Sequence, residues 1–175
     1  MSEGEQKNHP FIEYLLSLSE GEKRGALASL RRGMGKVPGQ APEMFRYVLP
    51  WLPENASREQ ERAYFLLASL LAYHPKNCTE GNMGNHLGRC RDPQGNDDAL
   101  ERRFSILLAA HPEDLPYYLR QAVSFLKSKD EIPINWSQLL KDLLGWDHPD
   151  RYVQRQWARA FWSRSQAGEA GKTED

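Results

Sequence analysis

Apolar residues return at intervals of three and four along nearly every segment of this chain, and no stretch keeps up the alternation of a half-buried strand. Residues so spaced share one side of a helix and must be buried against other helices, which restricts the chain to an all-α fold. About eight helices are expected. Pro10 suits a first helical turn, with Phe11, Tyr14, Leu15 and Leu18 on one face. Ser19 and Glu22 have capping-box spacing and open a second helix, which turns Ala26, Leu27 and Leu30 inward and stops at Gly33-Met34-Gly35. A third helix runs from Pro42 through Met44, Phe45 and Val48 to Pro50 or Pro53. A fourth starts behind Ser57, with Gln60 completing a capping box, and reaches about Tyr73.

Over residues 75–97 the period disappears under Pro, Gly, Asn and Asp. A loop of that length inside a compact domain is usually functional or disordered, and it marks a lobe boundary. After it, Asp97 or Asp98 caps a fifth helix to about Ala110. Pro112 opens a sixth, with Leu115, Leu119, Val123 and Leu126 on one face. Asn135 and Gln138 cap a seventh, which carries Trp136, Leu139, Leu140 and Leu143 and ends at Gly145. Asp147 caps the eighth, with Pro149 in its first turn. There Val153, Trp157 and Phe161 form a core stripe, and Arg151, Arg155 and Arg159 lie roughly opposite. Asp147 is spaced to pair with Arg151. The expected organisation is two small helical lobes: an N-terminal lobe over 8–92 with the long loop 75–97, and a C-terminal bundle over 97–166. A flexible tail follows at 167–175.

The formal net charge is -1, with 39% hydrophobic and 27% charged residues, the composition of a globular protein. That balance argues against autonomous, non-specific nucleic-acid binding but allows a local basic stripe. Of the 23 basic residues 15 are Arg, the better reader of phosphate geometry. No run of 18 apolar residues exists, so no membrane contact is expected. The polar N-terminus lacks the apolar core of a signal peptide, and two cysteines without an export signal suit a reducing, cytoplasmic setting.

Catalysis needs converging groups, and none is spelled out. No His has a Glu three residues before it, and no His-Glu-x-x-His, phosphate-binding glycine loop or Gly-x-Ser-x-Gly elbow occurs. The chain is expected not to be an enzyme and to have no small-molecule substrate or cofactor. His74-x3-Cys78 and His86-x3-Cys90 repeat one spacing around the long loop, and two Cys with two His could form a tetrahedral zinc site. The spacing matches no familiar finger, so a free-thiol loop with incidental histidines is the preferred reading.

Two adjacent-arginine pairs stand out, Arg31-Arg32 and Arg102-Arg103. Their guanidinium groups suit bidentate contact with phosphate or carboxylate, against the plainer reading of a solvated face. Arg31 lies one turn after Leu27, at the edge of an apolar face. Arg103 lies between Leu100 and Leu107 in projection, so its stem covers apolar surface. Arg120 and the loop residue Arg89 could join them in one groove. Arg58 and Arg62, beside Glu59 and Glu61, read as a solvated face.

Several segments together resemble the CasB family, the small subunit of the Type I-E CRISPR complex Cascade. They are Ala26-Leu-Ala-Ser-Leu-Arg-Arg-Gly33, Gly84-Asn-His-Leu-Gly-Arg89, Leu100-Glu-Arg-Arg-Phe104, Leu119-Arg-Gln-Ala-Val123, Ile134-Asn-Trp-Ser-Gln-Leu-Leu-Lys-Asp-Leu143 and Arg155-Gln-Trp-Ala-Arg159. They occur in family order over about residues 10–165. The resemblance implies a non-catalytic, two-lobed helical subunit that pairs head-to-tail with a second copy of itself and contacts other Cascade proteins. It also implies contact with the crRNA–target DNA hybrid and the displaced DNA strand, stabilising the R-loop without reading sequence. Carried over by motif, the basic contact positions are Arg31, Arg32, Arg89, Arg102 and Arg103, then Arg120 and Arg151, with Arg58 by position. The acidic neighbours Glu101, Asp147 and Asp150 would weaken these sites. The alternative is a purely structural helical adaptor whose arginines pair with acidic residues of a partner protein.

Overall fold

The structure is a computed structural model that describes residues 7–21 and 23–163. The expected tail, 167–175, lies outside the described residues, as does Glu22 of the expected capping box. Among the described residues there are nine α-helices: α1 (Pro10–Ser17), α2 (Arg24–Arg31), α3 (Phe45–Val48), α4 (Arg58–Tyr73), α5 (Met83–Gly88), α6 (Asp98–Ala109), α7 (Leu115–Ser128), α8 (Trp136–Leu144) and α9 (Tyr152–Phe161). The fold is all-α. Its sheet-like feature is an isolated parallel bridge between Asn77 and Ile134. Among the described residues no helix is long and apolar enough to cross a membrane.

The apolar faces bury as their spacing dictates. Phe11, Leu15 and Leu18 of the first segment, Leu115, Leu119, Val123 and Leu126 of α7, and Val153, Trp157 and Phe161 of α9 are all buried. Each such side chain contributes roughly 1.5–3 kcal/mol by leaving water. At the centre, α4 lies against α1, α2, α7 and α8, with Leu67, Ala68, Leu70 and Leu71 fully enclosed. α5 lies against α9. Packing therefore crosses the 75–97 segment, and one apolar cluster extends from Phe11 to Phe161.

The caps divide into those the sequence anticipates and those that tertiary contacts redirect. The Ser57–Gln60 box forms with both reciprocal bonds, and the Asn135 side chain accepts from the Gln138 amide. Ser19, in contrast, donates its hydroxyl to the Leu16 carbonyl at 2.6 Å, and α2 begins at Arg24 behind Lys23, which makes no side-chain cap bond. Asp97 sits at the N-cap position of α6, but its carboxylate accepts from the Asp92 amide at 2.7 Å and from Arg91. Nor does Asp147 cap the last helix. The chain from Gly145 makes successive turns through His148, and α9 starts only at Tyr152, behind Arg151 in the left-handed region at φ 48°.

Two segments differ in shape from expectation. The third helix is a four-residue α-turn flanked by 3-10 turns at Pro42–Met44 and Leu49–Trp51, since Pro50 has no amide hydrogen to continue the ladder. The long loop contains α5, a six-residue helix too short and too glycine-rich to show a period. Asn82 and Asn85 cap it reciprocally, and Met83 and Leu87 are buried. Gly84 makes it possible: a Cβ there would lie 2.0 Å from the Trp157 carbonyl oxygen, so only glycine lets α5 lie against the α9 backbone.

Candidate functional site

Successive residues on a helix point about 100° apart, so the pair Arg102-Arg103 does not act as a pair. Arg103 lines an apolar cleft between α6 and α7, of about 90 Å³, with Leu100, Leu107, Tyr118, Ala122 and Phe125. This is the stem coverage that its projection predicts. Arg102 shares the face of Ser105 and Ala109, which form one wall of an open groove of about 510 Å³ towards α9. Gln154, Arg155 and Arg151 line the other side. The Arg151 guanidinium donates from Nη2 to the Leu108 carbonyl at 2.7 Å, satisfying one of the orphan carbonyls at the end of α6. The expected Asp147–Arg151 ion pair does not form among the described residues. The turn before Tyr152 removes the helical spacing it requires, and Asp150 lies nearer His148, 3.8 Å from Nδ1.

Arg31 ends α2 and Arg32 caps it, both exposed. Arg32 comes within 3.9 Å of Glu43, a surface pair that leaves its charge largely available. The segment that follows, Gly33–Pro38, forms one wall of a groove of about 580 Å³. Arg62, Phe65 and Leu66 of α4 and Pro116, Tyr117 and Arg120 of α7 form the rest. Arg120 reaches the backbone of this segment, for a Cβ on Gly35 would lie 3.2 Å from Nη1. A Cβ on Gly33 would meet the Met44 sulfur at 2.0 Å.

Arg89 is exposed at the end of α5, where its charge acts on Cys78 and His86. Arg58 is exposed at the first position of α4. The eight arginines are thus spread over separate faces: Arg120 with the Gly33–Pro38 segment that follows Arg31 and Arg32, Arg151 in the groove between α6 and α9 with Arg102 a helical turn before its α6 wall, Arg103 in its own cleft, and Arg58 and Arg89 apart. Sequence reasoning missed Arg62 and Lys36, which line the groove with Arg120. Period alone cannot separate a helix position facing solvent from one facing a groove. It also missed the internal role of Arg91, which reaches Asp97 at 3.3 Å, Glu101 at 3.4 Å and the Phe161 carbonyl at 3.2 Å. Its guanidinium lies 5.3 Å from the Phe161 ring centre. Glu101, expected to weaken Arg102, is engaged by Arg91.

The His/Cys pattern resolves into unconnected local roles. His74 Nε2 lies 2.7 Å from the Ile132 carbonyl, which fixes a proton on that nitrogen. His86 Nε2 accepts from the Asn135 amide at 3.1 Å, and burial pushes its pKa down to about 4, so the ring is neutral. Burial raises both thiols, Cys78 and Cys90, above the usual range. Among the described residues no three His, Cys, Asp or Glu side chains come together as metal ligands.

The chain matches the family model for CRISPR-associated protein Cse2 over residues 26–162. It is 34% identical to the CRISPR-associated protein Cse2 of Thermus thermophilus, over 99% of this chain and 98% of the relative. Among solved structures it is similar to M. ruber CasB, with a TM-score of 0.78, 28% identity, and coverage of 95% of this chain and 100% of that one. It is also similar to a chain of a CRISPR RNA-guided surveillance complex, with a TM-score of 0.75, 28% identity, and coverage of 91% and 92%.

Proposed function

The chain belongs to the CRISPR-associated Cse2 family, whose members are also named CasB, and on that premise we propose that it is the non-catalytic small subunit of a Cascade surveillance complex. The observation that carries this reading is likeness along the whole fold to a chain within such a complex. In it the protein sits beside the other Cascade subunits and a second copy of itself, in the cytoplasm, and touches crRNA and target DNA without reading their sequence.

The mechanism is electrostatic holding of a strand that base pairing has already selected. Arg31 and Arg32, Arg102 and Arg151, Arg120, and further out Arg58, Arg89 and Arg103 contact phosphate oxygens of the hybrid and of the displaced strand. Their spread suits an extended polymer that runs over several faces better than a compact ligand in one pocket. With a net charge of -1, the free chain gains little from long-range attraction, and its contacts count once the complex has placed the strand.

Replacement of Arg31, Arg32, Arg102 and Arg103 by Ala in the assembled complex is expected to shorten the R-loop lifetime at least tenfold. An unchanged lifetime with assembly intact sinks the phosphate role. The second reading, a helical adaptor pairing with a partner's acidic residues, is favoured by Arg103, which stands at an apolar cleft of the kind that takes a protein side chain. Under that reading Arg103→Ala weakens assembly and leaves the salt dependence of strand binding unchanged.

A further inference from the structure

Tyr117 is the most exposed aromatic side chain among the described residues, ahead of Trp162 and Tyr152. Trp136, Trp157, Phe104 and Phe161 are enclosed, whereas Tyr117 is 60% exposed. It is nonetheless a positioned ring. It meets Tyr118 edge-to-face, with centroids 5.2 Å apart and planes at 81°, and Tyr118 packs on the core. Pro116, in the first turn of α7, restricts the backbone just before it. The ring stands in the groove already described, where Arg62, Arg120 and Lys36 supply three cations and Glu113 one carboxylate. Among the described residues none of those three cations has an ion-pair partner. The apolar surface of Phe65 and Leu66 between them suits a flat, weakly hydrated group better than a free ion.

A fixed aromatic face with cations around it is the arrangement that holds a single strand: bases stack on the ring and phosphates meet the cations. A duplex does not fit, because its bases are already stacked on one another. An acidic peptide would use the cations and leave the ring idle. We infer that the groove between Gly33–Pro38, α4 and α7 binds an unpaired nucleotide, its base stacked on Tyr117 and its flanking phosphates on Arg62, Arg120 and Lys36. This rests on the strand-holding reading above and adds a base-contacting residue to it.

The test uses the full chain at low ionic strength and a single-stranded oligonucleotide carrying 5-iodouracil, which cross-links to a stacked aromatic ring on irradiation. The cross-link is expected on Tyr117. Tyr117→Ala and Tyr117→Leu, the second keeping apolar bulk without a flat ring, weaken binding about tenfold, and Tyr117→Phe stays within about twofold. Arg62→Ala and Arg120→Ala each reduce the salt slope by about 0.7. If those arginine variants lower the slope while both Tyr117 variants bind like wild type, stacking is overturned and strand holding survives. If no strand binds and the quadruple arginine variant leaves R-loop lifetime unchanged, both fall. If Tyr117→Ala disrupts Cascade assembly instead of strand binding, the groove belongs to a protein partner and the proposal is overturned.

Discussion

The α5–α9 contact and the α2–α4–α7 groove use the same residue types to opposite ends. At the first, Gly84 brings two backbones together and Trp157 donates its indole hydrogen to Asp142 at 2.7 Å. Arg91 spends its guanidinium on two carboxylates and a carbonyl there. At the second, Gly33 and Gly35 edge an open groove, and among the described residues Arg62 and Arg120 form no ion pair, although Glu113 lines the same groove. The difference teaches that an arginine's role depends on whether packing brings an acceptor to it. Where acceptors arrive, the residue holds the fold. Where none arrives, the charge is left for something outside the chain.

Glycine replacement presses hardest on this contrast. Gly84→Ala drives a methyl into the Trp157 carbonyl, backbone against backbone, and should cost about 3 kcal/mol or more in urea unfolding. Gly33→Ala meets mainly the Met44 side chain, which can shift, with the Leu30 carbonyl oxygen at 3.3 Å, and should cost about 1 kcal/mol. Equal losses would mean that the groove wall is as rigid as the α5–α9 contact.

Acid should act on the buried side first. The folded His86 pKa of about 4 lies below its ordinary 6.5. Between those values the unfolded chain takes a proton that the folded chain refuses, so this contribution is whole above pH 6.5 and lost as pH falls toward 4. The expected loss is about 3 kcal/mol. His74, also lowered by burial, acts in the same direction. Asp142, raised by burial, opposes them, because the folded state holds its proton to higher pH than the unfolded one. The measurement is stability against pH for wild type and His86→Gln, and the His86 share is the slope the variant lacks. Identical slopes would remove His86 as the cause.

A smaller effect is expected from Arg91→Ala. It leaves the nearly buried Asp97 without its cation and should cost about 2 kcal/mol while strand affinity stays unchanged. Smallest on stability are Arg62→Ala and Arg102→Ala, each within about 0.5 kcal/mol, with their effect confined to the salt dependence of strand binding. A stability loss at Arg62 matching that at Arg91, read by thermal unfolding, would erase the distinction between the two regions.

Much of the fold is legible in the sequence, because the helical faces of α4, α7 and α9 and the caps at Ser57 and Asn135 are local. Each depends on residues within a turn or two. α5 is not, since six residues with two glycines show no period and its stability comes from Trp157, more than seventy positions away. The caps expected of Asp97 and Asp147 failed for a related reason. Asp97 had a stronger donor in Arg91, and the turn after Gly145 moved the helix start beyond the reach of Asp147. Of the candidate arginines, the sequence identified Arg31 and Arg103 as edge residues. It could not say that Arg102 and Arg103 would face different neighbours.

What the sequence by itself determined is therefore the all-α class, the buried faces and the family, all written in short-range spacing and in ordered motifs. The fate of each charge was decided only by the tertiary structure. Arg91 finds its acceptor on Phe161 and Arg151 finds one on Leu108, 70 and 43 residues away in the chain. Arg62 and Arg120 come to line one groove with Glu113 and, among the described residues, form no ion pair. Helical period repeats every 3.6 residues and is visible in a line of text, whereas an ion pair or a groove forms only where helices distant in sequence are packed side by side.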